Sequence, residues 1–344
     1  MSLSQKSSKE PQDLLKLTVA FESKRVLITG GLGFIGSTLA GRLVDLGAHV
    51  TLVDSLIPQY GGNPYNIREL RGRVTVNVCD VRDRFALAYL ISGQDYLFNL
   101  AGQTSHLDSM IDPQTDLEIN ASAQLSILET CRKANPEIRL VFASTRQIYG
   151  RPEYLPVDED HRIRPVDVNG INKLAGERYH LLYSSVYGIR ATVLRLTNTY
   201  GPRMRVKDAR QTFLGMWLKL LLTGEPIKVF GDGSQRRDLN YVDDVVDALL
   251  LAASRNEAVG QVMNLGGSEV IDLKGLAELL VRLNGCGSWQ LVPFPRDREL
   301  IDIGDYYGNW SKARELLGWT PRVGIEEGLR RSLDYYREHG AAYF

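Results

Sequence analysis

Glycine spacing is the first chemical signal in this chain. Residues 29–36 read TGGLGFIG, with Gly30, Gly33 and Gly36 at every third position behind the apolar run Val26, Leu27 and Ile28. Glycine tolerates positive φ and has no side chain, so such a turn can close around a pyrophosphate whose charge meets the unpaired N–H groups of the following helix. A dinucleotide site also needs an acid at the end of the next strand, to bind ribose hydroxyls. Asp54, which closes HVTLVD eighteen residues after Gly36, supplies it. A carboxylate there repels a 2′-phosphate and favours NAD over NADP. The alternative, a plain turn with Asp54 capping the next element, leaves the joint occurrence of strand, turn, helix, strand and acid unexplained.

These residues need a scaffold. Short apolar, β-rich runs at 25–29, 49–54, 74–79, 96–100, 140–143 and 191–196 alternate with helical stretches. That alternation is the signature of parallel βαβ units with both sheet faces covered. The expected fold class is α/β, a Rossmann-type doubly wound parallel sheet with a smaller C-terminal substrate-binding lobe. Residues 114–134 carry Leu117, Ala121, Leu125, Leu128 and Cys131 at helical spacing, opened by Asp112-Pro113 and closed by Pro136; residues 173–187 form a second amphipathic helix. Beyond Gly201-Pro202 the periodicity loosens, with strand-like pieces near 227–229 and 262–265 and helices near 242–254, 272–284 and 325–337. The expected division is a flexible tail over 1–22 and a dinucleotide-binding domain over 23–200. Later strands near 227–247 and 262–268 join that domain, and residues 201–344 are mainly a nucleotide-sugar-binding lobe.

Composition narrows the partners. Among 344 residues, Lys plus Arg and Asp plus Glu balance at 41 each, which leaves no net positive field to favour nucleic acid or an anionic membrane. Cys79, Cys131 and Cys286 form no CxxC pair and give neither a disulfide framework nor a metal signature, which fits a reducing cytoplasm. The opening residues MSLSQKSSKE lack the apolar core of a signal peptide, and no run approaches membrane-spanning length. A cytoplasmic protein is expected.

Further motifs follow in order: CDVRD at 79–83, DYLFNLAGQ at 95–103, ASTRQIYG at 143–150, LRLTNTYGPRM at 194–204, FGDGSQRRDLNYVDD at 230–244 and SKARELLGWTP at 311–321. With the glycine turn, they make residues 24–336 resemble the extended short-chain dehydrogenase/reductase family, the NAD-dependent nucleotide-sugar epimerases, dehydratases and decarboxylases. The resemblance implies NAD held by Gly30, Gly33, Phe34, Ile35, Gly36 and Asp54. It places Asp80 and Val81 beside the adenine, and Leu100, Ala101 and Gly102 along the cofactor. Asp80 as a solvated turn residue is the rival reading. Asn198 would face the substrate or form an Asx turn. Arg237 and Arg298 would grip the diphosphate of a nucleotide-diphosphate sugar, with Arg296 a rival for the second place. The resemblance also implies a homodimer, built from the helices at 114–134 and 173–187.

In that family a Tyr takes the proton from a sugar hydroxyl while hydride passes to the nicotinamide. A Lys four residues on lowers the phenol's pKa and holds the nicotinamide ribose, and a strand-end Ser or Thr binds the same hydroxyl. Here Lys173 is present, but Asn169 stands where the resemblance puts the Tyr. A carboxamide orients a hydroxyl and cannot take its proton. Ser144 and Thr145 keep the hydroxyls, whereas Arg146-Gln147 replaces the Asp-Glu pair of the 4,6-dehydratases. Two residues remain as proton acceptors: Lys173, if desolvation lowers its pKa, and His106 on the loop after the fourth strand. His106 as a loop-stabilising group is the competing reading; Asn169 as the N-cap of the Lys173 helix is a plainer reading that is compatible with a substrate contact. The expectation is an NAD-dependent enzyme of nucleotide sugars, epimerase-type, in which Lys173 or His106 takes the proton while Thr145 and Asn169 orient the hydroxyl. The alternatives are a low-activity NAD or nucleotide-sugar binding module and a UDP-glucuronate-decarboxylase-like enzyme.

Overall fold

The computed structural model describes residues 9–57 and 59–344. Helices α1 to α13 span Lys9–Phe21, Phe34–Asp45, Arg84–Ile91, His106–Ile111, Pro113–Leu117, Ala123–Ala134, Val168–Tyr187, Phe213–Leu222, Val242–Ser254, Leu273–Asn284, Arg296–Glu299, Ser311–Leu317 and Ile325–His339. Strands β1 to β12 span Arg25–Thr29, His49–Asp54, Val74–Val78, Tyr96–Asn99, Arg139–Thr145, Arg190–Leu196, Asn198–Tyr200, Ile227–Phe230, Arg236–Tyr241, Val262–Asn264, Val270–Asp272 and Trp289–Val292.

Seven strands form the central sheet in the order β10-β6-β5-β4-β1-β2-β3, all paired in parallel. Alternation along each strand feeds two cores. In β1, Val26 and Ile28 point into one hydrophobic cluster with α2 and α9, while Leu27 joins the opposite one with α3, α6 and α7. The strand order reverses between β1 and β4, and a crevice opens there at the carboxyl ends of the strands.

Several elements depart from expectation. The expected flexible tail is helical from Lys9. Leu17 and Phe21 are buried, the Phe21 ring lies 4.8 Å from that of Tyr96, and the Tyr96 hydroxyl donates to the Ala20 carbonyl at 3.1 Å. The polar residues 1–8 of that expectation lie outside the described residues. The strands near 227–247 do not join the main sheet. Instead β9 lies between β11 and β7 in a three-stranded sheet, and β8 pairs with β12. A π-turn at Glu118–Ser122 separates α5 from α6. There α7 approaches so closely that a Cβ at Gly176 would lie 2.7 Å from the Asn120 carbonyl oxygen. Among the described residues, no helix is long and apolar enough to cross a membrane, and no cluster of His, Cys, Asp and Glu could hold a metal ion.

Candidate active site

The glycine turn is tight for identifiable reasons. Gly30 takes φ +69°, and a Cβ at Gly36 would lie 2.2 Å from the Gly30 carbonyl oxygen. Helix α2 therefore starts against the end of β1. Its N-cap, Gly33, offers no side chain to the first-turn N–H groups, which leaves them to an anion. Asp54, at the end of β2, accepts from Leu32 N at 3.1 Å and Leu56 N at 3.0 Å. Burial pushes its carboxyl above the usual range, and those two N–H donors oppose the rise. At the end of β3, Asp80 is held below the usual range, mainly by its side-chain hydrogen bonds with Arg82, against a smaller desolvation cost.

The floor beyond the turn is fixed by Thr29, whose hydroxyl donates to Asn99 Oδ1 at 2.9 Å and accepts from Leu100 N and Ala101 N. Gly102 follows, where a Cβ would lie 2.7 Å from Lys173 Nζ. Helix α7 presents Asn169, Lys173 and Glu177 along one face at fourfold spacing. Lys173 Nζ donates to the Ala143 carbonyl at 3.3 Å. Burial pushes its pKa down to about 8, and the charge of Asp116 partly opposes the fall.

Asn169 is tied into the same framework. Its Nδ2 donates to the Gln103 carbonyl at 2.8 Å and to Asp116 Oδ2 at 3.0 Å, while Asp116 Oδ1 accepts from Asn172. Both partners of Nδ2 are acceptors, so the amide can point only one way, with Oδ1 left for the cleft. Asn169 is not the N-cap; Asp167 is, accepting from Gly170 N at 2.6 Å.

Adjacent strand-end hydroxyls part company because successive strand residues face opposite sides. Ser144 is committed to the buried ion pair of the core: it donates to Glu177 Oε2 at 2.8 Å, and Glu177 meets Arg195 at 2.6 Å. That corrects its expected place at the substrate hydroxyl. Thr145 Oγ1 accepts from Gln147 N at 3.2 Å and keeps its own proton to donate.

His106 opens α4 and reaches Asp167. Its Nδ1 lies 3.0 Å from Asp167 Oδ2, with the Asp side chain fully buried and the His 37% exposed. Asp167 Oδ2 also accepts from Gln147 Nε2 at 2.8 Å. Burial raises the Asp167 carboxyl, but the adjoining His106 imidazole, with Gly170 N–H and Gln147, outweighs it and holds the group below the usual range. At 3.0 Å the His106–Asp167 contact has ion-pair distance without hydrogen-bond geometry, and the carboxylate charge favours a proton on Nδ1, which leaves Nε2 as the acceptor.

One cleft gathers most of the residues singled out in the sequence: Gly30, Gly33, Phe34, Ile35, Gly36, Asp54, Asp80, Val81, Leu100, Ala101, Gly102, His106, Ser144, Thr145, Asn169, Lys173 and Asn198. Arg237 and Arg298 are not in its lining. Arg237 is buried behind it, donating to the Arg236 carbonyl and 3.9 Å from Asp302, and desolvation pushes its pKa down to about 10. Arg298 lies beside the Phe230 ring at 5.6 Å. A dinucleotide fits the chemistry of the cradle: the first-turn N–H groups of α2 have no side-chain cap to meet, and the Asp54 carboxylate lines the same cleft. Asp167 was not foreseen; its place two residues before Asn169, opening an amphipathic run, is the N-cap signal that marks it.

Comparison with known proteins gives one answer. Residues 26–266 match the model of the NAD-dependent epimerase/dehydratase family. The chain is 34% identical over 318 residues to a putative UDP-glucose 4-epimerase of Methanocaldococcus jannaschii, covering 91% of this chain and 99% of that protein. Among solved structures, an epimerase of Methanothermobacter thermautotrophicus superposes with a TM-score of 0.89 at 27% identity, covering 96% of both chains. The Thermus thermophilus UDP-glucose 4-epimerase in complex with NAD gives 0.80 at 30% identity, covering 91% of this chain and 99% of that one.

Proposed function

Since this chain belongs to the NAD-dependent epimerase/dehydratase family, we propose that it is an epimerase-type catalyst of a nucleotide-diphosphate sugar in which His106 and Asp167 take over the proton transfer of the family's Tyr. The observation that carries this is His106 on the wall of the cleft shared by Thr145, Asn169 and Lys173, with the buried Asp167 carboxylate 3.0 Å behind it. When bound, NAD supplies the two-electron oxidant that accepts hydride from a sugar carbon and later returns it. Gly30, Gly33 and Gly36 would hold its pyrophosphate, Asp54 an adenosine ribose, and Lys173 the nicotinamide ribose. Asp80, Val81, Leu100, Ala101 and Gly102 would line it.

Asn169 stands at the position of the Tyr in this reading. Its Oδ1 accepts from a substrate hydroxyl, and Thr145 donates to the oxygen that is to become the carbonyl. The proton of that oxygen passes to His106 Nε2, where the Asp167 carboxylate stabilises the imidazolium. Lys173 is poorly suited to the task near neutrality, because below about pH 8 it is an ammonium with no lone pair to offer. Asn198 lies on the substrate side of the same cleft. Arg237 and Arg298 lie outside the cleft lining, and their expected grip on the diphosphate has no support from the contacts they make.

His106→Gln is expected to lower turnover by about 10²–10⁴-fold with NAD affinity retained. Asp167→Asn should do nearly the same, because an amide donor at Nδ1 moves the imidazole proton to Nε2, while Asn still caps α7. Wild-type turnover in His106→Gln across the pH range would place the base elsewhere.

Leu117, Leu125, Ile171, Leu182, Val186 and Tyr187 are exposed on α5, α6 and α7. They form the apolar face of the helices expected to pair, so the reading includes a homodimer through this surface. Sedimentation should give twice the 38.5 kDa chain mass, and Leu182→Glu with Val186→Glu should give monomers. A wild-type monomer at micromolar concentration contradicts the pairing.

A further inference from the structure

Arg146 follows Thr145 directly at the end of β5 and lines the same cleft. Its guanidinium is fixed on two sides. The face lies 5.0 Å from the centre of the Tyr306 ring, and Nη2 donates to Asn198 Oδ1 at 3.1 Å. Nη1, in contrast, has shed water and gained no partner, and the same is true of Asn198 Nδ2 beside it. The two arginines that are buried outright are provided for: Arg195 meets Glu177 at 2.6 Å, and Arg237 donates to the Arg236 carbonyl and to Gln235 Oε1. Among the described residues no carboxylate forms an ion pair with Arg146, and Asp238, Asp302 and Asp167 act on it only from farther away.

A half-buried guanidinium whose Nη1 is sealed from solvent, beside an amide whose Nδ2 is likewise unmatched, carries a desolvation cost that a ligand can relieve. A sugar hydroxyl is the wrong relief, because it is neutral and offers one oxygen. A carboxylate offers two oxygens and a full charge, which suits the planar guanidinium fork. Building on the nucleotide-sugar reading above, we propose that Arg146 and Asn198 bind a carboxylate carried by the sugar, so that the cleft takes nucleotide-diphosphate uronates in preference to neutral hexoses. The same arginine chemistry could instead serve the substrate's own diphosphate, and the experiment separates the two.

NAD-loaded protein is titrated calorimetrically with two matched sets: UDP, UDP-glucose and UDP-glucuronate, and GDP, GDP-mannose and GDP-mannuronate. In the set whose nucleotide binds, the uronate is expected to bind at least tenfold more tightly than the neutral sugar. Arg146→Met should erase that preference and leave the bare nucleotide's affinity unchanged, which also shows that the variant is folded. Equal wild-type affinity for uronate and neutral sugar overturns the proposal. So does a loss of bare-nucleotide affinity in Arg146→Met as large as the loss for the uronate, which would put the arginine on the diphosphate. If none of these ligands binds, and neither do CDP-glucose and dTDP-glucose, the nucleotide-sugar reading itself falls, and this proposal with it.

Discussion

Replacing Gly36 by alanine is expected to abolish dinucleotide binding. The new Cβ would stand 2.2 Å from the Gly30 carbonyl oxygen and 3.0 Å from Gly30 C and Gly31 Cα. All three neighbours are backbone atoms, so no flexible side chain can give way, and relief requires α2 to back off from the end of β1. That movement opens the turn whose N–H groups meet the pyrophosphate. The expected loss is at least ~10²-fold in NAD affinity, with a destabilisation of about 1–3 kcal/mol from overpacking. Gly41 on the same helix is the control, because a Cβ there meets nothing within 4 Å. Gly41→Ala should leave NAD binding intact and raise stability by up to about 1 kcal/mol through helix propensity. NAD titration and thermal unfolding of the two variants check this; a Gly36→Ala protein that binds NAD normally would refute the cradle.

Lys173→Met is expected to separate activity from stability. The ammonium carries a pKa of about 8 in the folded chain against 10.5 for an ordinary lysine, chiefly through burial. The unfolded chain therefore holds the proton more tightly, and below about pH 8 folding must bury a charge at a cost on the order of 3 kcal/mol. As the pH rises from about 8 toward 10.5, the unfolded state keeps the proton that the native state has already lost, so this group's contribution makes stability rise with pH. Methionine removes the cost and the slope together. The variant without cofactor should be more stable than wild type at pH 7, converge with it toward pH 10, and lose at least ~10³-fold in turnover with the ribose contact and the positive charge. Denaturant unfolding at several pH values, beside steady-state assays, reads both effects. A variant less stable than wild type at pH 7 would mean that the Lys173 hydrogen bond to Ala143 outweighs its desolvation.

What could be read from the sequence was local. The apolar runs became β1 to β6, in the inner strands because burial on both faces of a parallel sheet needs continuous apolar residues, and at the edge in β3 on the strand propensity of its valines alone. Asp54 fell at the end of β2 because the turn and its acid belong to a single βαβ unit. What could not be read depends on distant partners. The N-cap alternative for Asn169 rested on asparagine's preference for that place, but its Nδ2 is taken by Gln103 and Asp116, 66 and 53 residues away. His106 and Asp167 meet because α4 packs against the start of α7, a topological fact with no local signature. Both Ser144 and Thr145 kept a hydroxyl at the strand end, with Thr145 expected to orient the substrate, and strand alternation turned Ser144 toward Glu177 and left Thr145 its donor proton. The polar start of the chain concealed α1, whose described side chains bury only Leu17 and Phe21 deeply. Strand periodicity likewise says nothing about which sheet a strand joins, and so β8 and β9 were assigned to the wrong one.

The most direct test of the central claim is a single-turnover experiment. NAD-loaded wild type and His106→Gln are mixed rapidly with UDP-, GDP-, CDP- and dTDP-sugars, and nicotinamide reduction is followed by its absorbance. At least one nucleotide sugar should produce a transient of reduced cofactor in the wild type, slowed at least ~10²-fold in His106→Gln with sugar binding retained. Sugars that bind without reducing the cofactor, or a variant that reduces it at the wild-type rate, would contradict the account.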